Sequence, residues 1–166
     1  MKIHGLDSHG GRRQRMQARL RLLLAGSGLS ALSSSASVQE YRCRALHLIC
    51  FGSTAAQQAA AEAGALAAIV DGMRRHASSP GVQEYGCRAL GNICLGNDAA
   101  GLARKQAAVD AHALEAIVEG MRRHAASAGV QKYGGSAVTA QNATHNDTSG
   151  SAPGPPQNYY SATRNL

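Results

Sequence analysis

Apolar and polar positions follow a helical period in a block that this chain contains twice. GALAAIVDGMRRHA at 64–77 is followed by HALEAIVEGMRRHA at 112–125. Apolar residues recur at i, i+3, i+4 and i+7 in both copies: Leu66, Ile69, Val70 and Met73, then Leu114, Ile117, Val118 and Met121. A stripe of period 3.6 predicts an amphipathic helix. The Ser- and Gly-containing segments 78–81 and 126–129 predict where each helix ends.

A second block occurs twice and begins a third time. VQEYRCRALHLICFG at 38–52 and VQEYGCRALGNICLG at 82–96 share 11 of 15 positions, and VQKYGGSAV at 130–138 repeats only the start. This block also has a helical stripe, formed by Val82, Gly86, Ala89, Leu90 and Ile93. Because glycine disfavours helix, Gly86 predicts a position that another helix approaches closely. The pattern leaves open whether the array is complete or truncated.

The two blocks combine into one repeating unit. Short Ala-rich segments at 57–63 and 105–111 precede the longer blocks and are also predicted helices. The unit is therefore a short helix followed by two longer ones, and the second copy has four extra residues at 101–104, predicted as a loop or a helix extension. Since no such unit can bury its apolar faces alone, stacked copies are expected to share a core. This predicts an all-α fold of the α-solenoid class.

The order of the three helices resembles that of the armadillo repeat. AAVDA at 107–111 has the place of the first helix's last turn, ALEAIVEGM at 113–121 that of the second helix, and VQEYGCRALGNIC that of the third. The resemblance covers residues 38–139. It implies a right-handed superhelix of three-helix repeats, and a protein-interaction module that binds an extended peptide or partner protein along a concave groove of third helices.

The resemblance also implies candidate contact residues. Family members that bind basic peptides place Trp, and Asn four residues later, on the third helix; here the Trp position holds Arg44 and Arg88, and only Asn92 matches the Asn. Arginines at this position disfavour basic ligands and favour an acidic or carboxylate-bearing peptide. Asn92 is expected to hydrogen-bond a peptide backbone.

Two glutamates are the remaining candidate partner-binding residues, and they affect the expected charge of the groove. Glu40 and Glu84 lie four residues before Arg44 and Arg88, where they are able to form i, i+4 ion pairs. If they do so, the groove becomes nearly neutral and the acidic-ligand expectation weakens. A solvated helix face of paired charges is the alternative interpretation.

The net charge of +7 is concentrated before the repeats. Residues 1–37 are interpreted as a basic extension or a degenerate repeat helix; an organelle transit peptide is the less favoured alternative. The arginines between Arg12 and Arg21 give an alternative function, an electrostatic adaptor that docks on RNA or an anionic membrane, although nucleic acid and membrane are the less expected partners. Residues 140–166 are polar and predicted to be a disordered tail.

The remaining chemistry is sparse. Cys43, Cys50, Cys87 and Cys94 form two pairs seven residues apart, about 10.5 Å along a helix, which is too far for a disulfide. They are predicted to be buried thiols, as suits a cytoplasmic or nuclear protein. No nucleophile–base pair, metal-ligand cluster or phosphate loop is recognisable, so we expect neither an enzyme nor a cofactor. Two repeats are fewer than a stable array needs, which predicts marginal stability or self-association through the repeat ends.

Overall fold

The computed structural model describes residues 35–142 together with Gly11, Gln14, Arg15, Gln17 and Ala18. Residues 35–142 form seven helices and no strand: α1 (Ala36–Cys50), α2 (Thr54–Glu62), α3 (Ala65–Arg75), α4 (Pro80–Ile93), α5 (Ala99–Asp110), α6 (Ala113–Arg123) and α7 (Ala128–Asn142). The all-α prediction is therefore confirmed for this part of the chain.

Most of the two terminal segments lies outside the described residues. This applies to the Arg12–Arg21 arm, apart from Gln14, Arg15, Gln17 and Ala18, and to the tail after Asn142. The predicted start of the polar tail, residue 140, falls inside α7, which continues to Asn142.

Side chains and backbone turns fix the ends of the helices. Ser53, Ser79 and Asp98 each accept a hydrogen bond from a backbone N–H in the first turn of α2, α4 and α5. The sharp turn before each second helix uses a left-handed residue, Gly64 with φ 82° before α3 and His112 with φ 57° before α6. Glycine adopts this conformation without strain, whereas His112 does so at some cost.

The predicted apolar stripes supply the core. Leu66, Ile69, Val70 and Met73 of α3 are at most 3% exposed. The equivalent stripe of α6 is buried less completely, because Ile117 is fully buried but Val118 is 49% exposed. Residues of α3 are covered on one side by α6, and no helix in the described part of the chain covers α6 in the same way.

Equivalent helices of successive units pack on one another. The third helices α1, α4 and α7 form one row with α4 in the middle, α3 packs on α6, and α2 packs on α5. The predicted close approach at Gly86 is made by the Met73 side chain, and Met121 contacts Gly134 in the same way. A side chain at either glycine would collide with the methionine.

A glutamine connects each second helix to the third helix that follows it. The Gln83 amide donates to the carbonyl oxygens of Met73 at 2.9 Å and His76 at 3.2 Å. Gln131 makes the equivalent bonds, at 2.7 Å to Met121 and 3.2 Å to His124. These carbonyls belong to the last turn of a helix, where they lack intrahelical partners. The repeated Gln therefore makes the same connection between the second and third helices in both units.

The four extra residues of the second unit lengthen the helix α5 and bury an arginine. Arg104 is 2% exposed, and its guanidinium donates to the carbonyls of Ile93 at 2.8 Å and Leu95 at 2.6 Å. It also donates to the side-chain oxygens of Gln57 and Gln58, both at 3.2 Å. The cation thus lies at the carboxyl end of α4, where the helix dipole favours positive charge. This contact joins α2, α4 and α5.

All four cysteines are free and buried, as predicted. Burial raises the pKa of Cys43 and Cys87 to about 12, and that of Cys50 and Cys94 to about 11. They are packing residues that stay protonated, because a buried thiolate would be poorly solvated. No helix in the described part of the chain has the length and apolarity to cross a bilayer.

Candidate functional site

A hollow of about 610 Å³ crosses the row of third helices. We call it the groove. Its walls come from His47 and Phe51 on α1, from Arg88, Gly91, Asn92 and Leu95 on α4, and from Lys132, Tyr133, Ser136 and Ala140 on α7. The central helix α4 supplies its middle, and α1 and α7 flank it. Of the five predicted contact residues, Arg88 and Asn92 line the groove, whereas Arg44, Glu40 and Glu84 are not among its lining residues.

The groove owes its space to small residues at two repeated positions. Gly91 stands where α1 has His47, and Ala140 stands where α4 has Asn92. A Cβ at Gly91 would lie 3.5 Å from Ala137, an ordinary contact distance, so the close packing of α4 and α7 does not require glycine here. The absence of a side chain at Gly91 instead leaves room above the helix.

Asn92 bonds within the protein. Its Nδ2 lies 2.9 Å from His47 Nδ1 and 3.0 Å from the His47 carbonyl oxygen. Both amide protons are thus directed to α1, and only the Oδ1 acceptor is left for a peptide. Of the donor and the acceptor that Asn92 is expected to offer a peptide, only the acceptor is available in this structure.

His47 is neutral in this arrangement. Its pKa lies below the usual value because the ring is partly desolvated, with the nearby Arg88 charge lowering it further. The neutral ring can accept the Asn92 proton at Nδ1, which a protonated ring cannot do. The Asn92–His47 pair therefore closes the α1–α4 junction with side-chain hydrogen bonds that Gly91 and Ala140, at the same positions of the α4–α7 junction, cannot form.

Cations and aromatic rings alternate from α1 to α7, and three of them, Arg88, Tyr133 and Lys132, line the groove. Arg44 Cζ lies 5.7 Å from the centre of the Tyr85 ring; Arg88 Cζ lies 5.0 Å from that ring and 3.7 Å from the Tyr133 ring. Lys132 Nζ follows at 5.4 Å from Tyr133. We call these five residues the cation–aromatic row. Such contacts stabilise by roughly 0.5–1 kcal/mol each at exposed sites.

Arg88 is held by several partners. Its guanidinium forms an ion pair with Glu84 at 2.6 Å, and its side chain is 23% exposed. Its Nε is buried and has no hydrogen-bond partner among the described residues. Arg88 thus lies over two rings and is paired with a carboxylate. These contacts give it a structural role in the row, and its charge is already partly neutralised.

Glu40 does not repeat the pairing of Glu84. Within residues 35–142 no ion pair joins Glu40 to Arg44, so the predicted i, i+4 pairing occurs in only one of the two copies. The Glu40 carboxylate instead packs against Gly81 in the first turn of α4, and the Glu84 carboxylate packs against Gly129 in the first turn of α7. A helix N-terminus favours an adjacent negative charge.

Two cations of the row remain exposed. Arg44 and Lys132 are both solvent-accessible, and neither forms an ion pair with a residue that the structure describes. Lys132 stands where the other copies have Glu40 and Glu84. Those glutamates each meet the N-terminus of a following third helix, and after α7 the described residues contain no such helix. Lys132 therefore provides an exposed cation in the α7 wall of the groove, and Arg44 provides one on α1, outside the residues that line it.

Sequence reasoning did not select Tyr85, Tyr133, Lys132, His47 or Phe51. The tyrosine recurs in all three copies of VQ-x-Y, three residues before the arginine in two of them, which is a usable signal. The contact of Arg44 with Tyr85 joins two different helices, however, so it depends on how α1 and α4 are packed. Among the described residues no group of three His, Cys, Asp or Glu side chains is arranged to bind a metal ion.

The chain matches no known protein family, no curated protein and no solved structure.

Proposed function

We propose that this chain is a short armadillo-type α-solenoid whose row of third helices binds an extended peptide segment of a partner protein. The groove has a binding role and no catalytic role in this proposal. Its fold part is supported by the packing of each helix on its equivalent in the next unit. Its functional part is supported by one observation, the hollow of about 610 Å³ across α1, α4 and α7. Ligand sites are concave and mostly apolar, with a few polar groups, as this groove is.

The groove suits an extended chain more than a compact ligand. It crosses three packed helices, which are typically about 8–10 Å apart, so it spans roughly 16–20 Å. Five or six residues of an extended peptide, at about 3.3 Å each, have that length. Phe51 and Leu95, 65% and 44% exposed, offer apolar surface to side chains of the peptide.

A peptide-display selection tests the proposal. Random peptides are selected on the full chain, and the enriched sequences are measured by fluorescence polarisation against three proteins: the unaltered chain, Gly91→Leu, and Ala67→Leu. Gly91→Leu fills the groove from a position with room for a side chain. Ala67 is exposed on α3 outside the groove, so Ala67→Leu is a matched control.

We expect the selected peptides to lose at least about tenfold in affinity with Gly91→Leu, equivalent to about 1.4 kcal/mol. They should bind the Ala67→Leu protein as they bind the unaltered chain. Circular dichroism establishes that both variants keep their helices. Equal binding to all three proteins would place the site elsewhere and refute the proposal.

A further inference from the structure

The cation–aromatic row restricts what the groove can bind. Three cations, Arg44, Arg88 and Lys132, lie along it, but they differ in what else they contact. Arg88 is paired with Glu84 and stacked between two tyrosine rings. Arg44 and Lys132 are exposed and form no ion pair with a described residue. An incoming anion therefore finds its accessible partners in Lys132, which lines the groove on α7, and in Arg44 on α1 outside that lining, not in Arg88 at the middle.

The middle of the groove is apolar and open. Gly91 leaves space, and Phe51 and Leu95 contribute exposed apolar surface to the lining. Phe51 is the single phenylalanine of the chain, and it is 65% exposed. An aliphatic or aromatic side chain seated here would remove its own surface and that of Phe51 from water, at roughly 25 cal/mol per Å².

The spacing of the two exposed cations sets the spacing of their partners. Arg44 and Lys132 lie on helices α1 and α7, with α4 between them. At about 8–10 Å per helix pair, an extended peptide needs about six residues to reach from one to the other. Alternate residues of an extended peptide face the same side. If the residues at the two ends face the protein, the residues two and four positions after the first also point into the groove.

We infer, building on the function proposed above, that the ligand is an acidic peptide with two carboxylate side chains about six positions apart and a large apolar side chain between them. Arg44 and Lys132 bind the two carboxylates, and the hollow at Gly91 takes the apolar residue. Arg88 is a positioning residue that holds Tyr85 and Tyr133 in place. This assigns the ligand specificity to Lys132, at the position where the other two copies have glutamate.

Two other anionic partners fit the row less well. A phosphorylated side chain carries close to two charges and is usually bound by a cluster of arginines, whereas here the exposed cations stand singly. Single-stranded nucleic acid uses open aromatic faces for base stacking. The faces of Tyr85 and Tyr133 are instead covered by Arg88, with Arg44 and Lys132 also beside them.

Synthetic peptides test the inference. The probe has Glu at its first and seventh positions, Leu at its third and fifth, and Ser or Gly elsewhere. Related peptides carry Gln, Lys or phosphoserine in place of one or both Glu residues, and an oligouridine of similar length represents nucleic acid. Affinities are measured by fluorescence polarisation for the unaltered full chain and for Arg44→Gln, Lys132→Gln, Lys132→Glu, Gly91→Leu and Arg75→Glu.

Lys132→Glu is a conservative change for the helix, because glutamate occupies this position in both other copies. Arg75→Glu changes the net charge equally at a residue of α3 outside the groove.

We expect Arg44→Gln and Lys132→Gln each to weaken binding of the Glu probe about threefold to fivefold, as for a partly exposed ion pair, and Lys132→Glu to weaken it more. A probe with Lys at one of its two ends should recover affinity for Lys132→Glu. Arg75→Glu should have little effect at 0.15 M salt, where charges beyond about 8 Å are screened.

The failure of this inference can be separated from the failure of the proposed function. If the Gln probe binds as tightly as the Glu probe, and both weaken with Gly91→Leu, the groove binds peptides but does not select carboxylates. Tighter binding of the phosphoserine probe, or oligouridine binding that depends on Lys132, would replace the acidic peptide by another anion. If no probe or selected peptide responds to Gly91→Leu, the peptide-binding function itself is refuted.

Discussion

The two junctions of the third-helix row are built from nearly the same phrase but differ in form. Between α1 and α4, Asn92 donates two hydrogen bonds to His47. Between α4 and α7 the same positions hold Gly91 and Ala140, which make no side-chain hydrogen bond and line the groove. Two substitutions in a repeated phrase thus distinguish a hydrogen-bonded junction from an open one. In this chain, positions that deviate from the repeat line the groove, and repeated positions supply the packing.

The same contrast extends to the buried side of the row. Ile93 of α4 is fully buried in the apolar core, whereas Gln141 occupies the equivalent position of α7 and is 5% exposed. Neither polar atom of the Gln141 side-chain amide has a hydrogen-bond partner among the described residues. A buried polar group without a partner costs about 1–3 kcal/mol. We therefore expect the α4–α7 junction to be the less stable of the two.

The largest expected effect comes from replacing Ile93 of α4 with glutamine, the residue at the equivalent position of α7. Ile93→Gln places an unpaired amide in the filled core, so we expect the free energy of unfolding to fall by about 3 kcal/mol or more. The reciprocal change, Gln141→Ile, removes an unpaired amide and should raise it by about 1 kcal/mol. Urea unfolding followed by circular dichroism measures both. Similar destabilisation by the two changes would show that the junctions are equally well packed.

A smaller effect is expected at the hydrogen-bonded junction. Asn92→Ala removes two hydrogen bonds to His47 and should lower the free energy of unfolding by about 1–2 kcal/mol. Ala140→Ser is a suitable control, since it adds a small polar group at the equivalent position of α7 and should change stability by less than about 0.5 kcal/mol. An Asn92→Ala protein as stable as this control would mean that the bonds to His47 contribute nothing.

The smallest effect is a pH dependence confined to the α1–α4 junction. Because the pKa of His47 is lowered in the folded chain, chiefly by desolvation, the folded state binds this proton less readily than the unfolded state. The stability due to neutral His47 is thus complete above the normal histidine pKa and is lost as the pH falls below it. We expect only a few tenths of a kcal/mol, because the ring is partly exposed and screened by solvent.

His47→Gln tests this dependence, since glutamine can also accept from Asn92 but does not titrate. Urea unfolding of both proteins at pH 7.5 and at pH 5.5 gives the comparison. The unaltered chain should lose slightly more stability on acidification than the variant. A larger loss in the variant would contradict the assignment of a neutral His47.

The sequence alone determined the helices, the repeating unit and the buried positions of the first unit. Periodic apolar residues such as Leu66, Ile69, Val70 and Met73 specify a local helix and its buried face, and this information is contained in neighbouring residues. The buried state of the four cysteines followed from the same periodicity. The sequence also placed Arg44, Arg88, Asn92, Glu40 and Glu84 on third helices, where the structure has them.

Only the tertiary structure decided how these residues are used. Glu84 pairs with Arg88, but Glu40 forms no pair with Arg44, although the local spacing is identical. Asn92 turns its amide to His47, 45 residues away, and Arg104 reaches four acceptors, on α2, at the end of α4 and in the loop that follows α4. Partners of this kind come from distant parts of the chain, and the register of packed helices determines which atoms meet. The repeat in the sequence therefore predicts the row of helices, and the packing of that row decides where it is closed and where it is open.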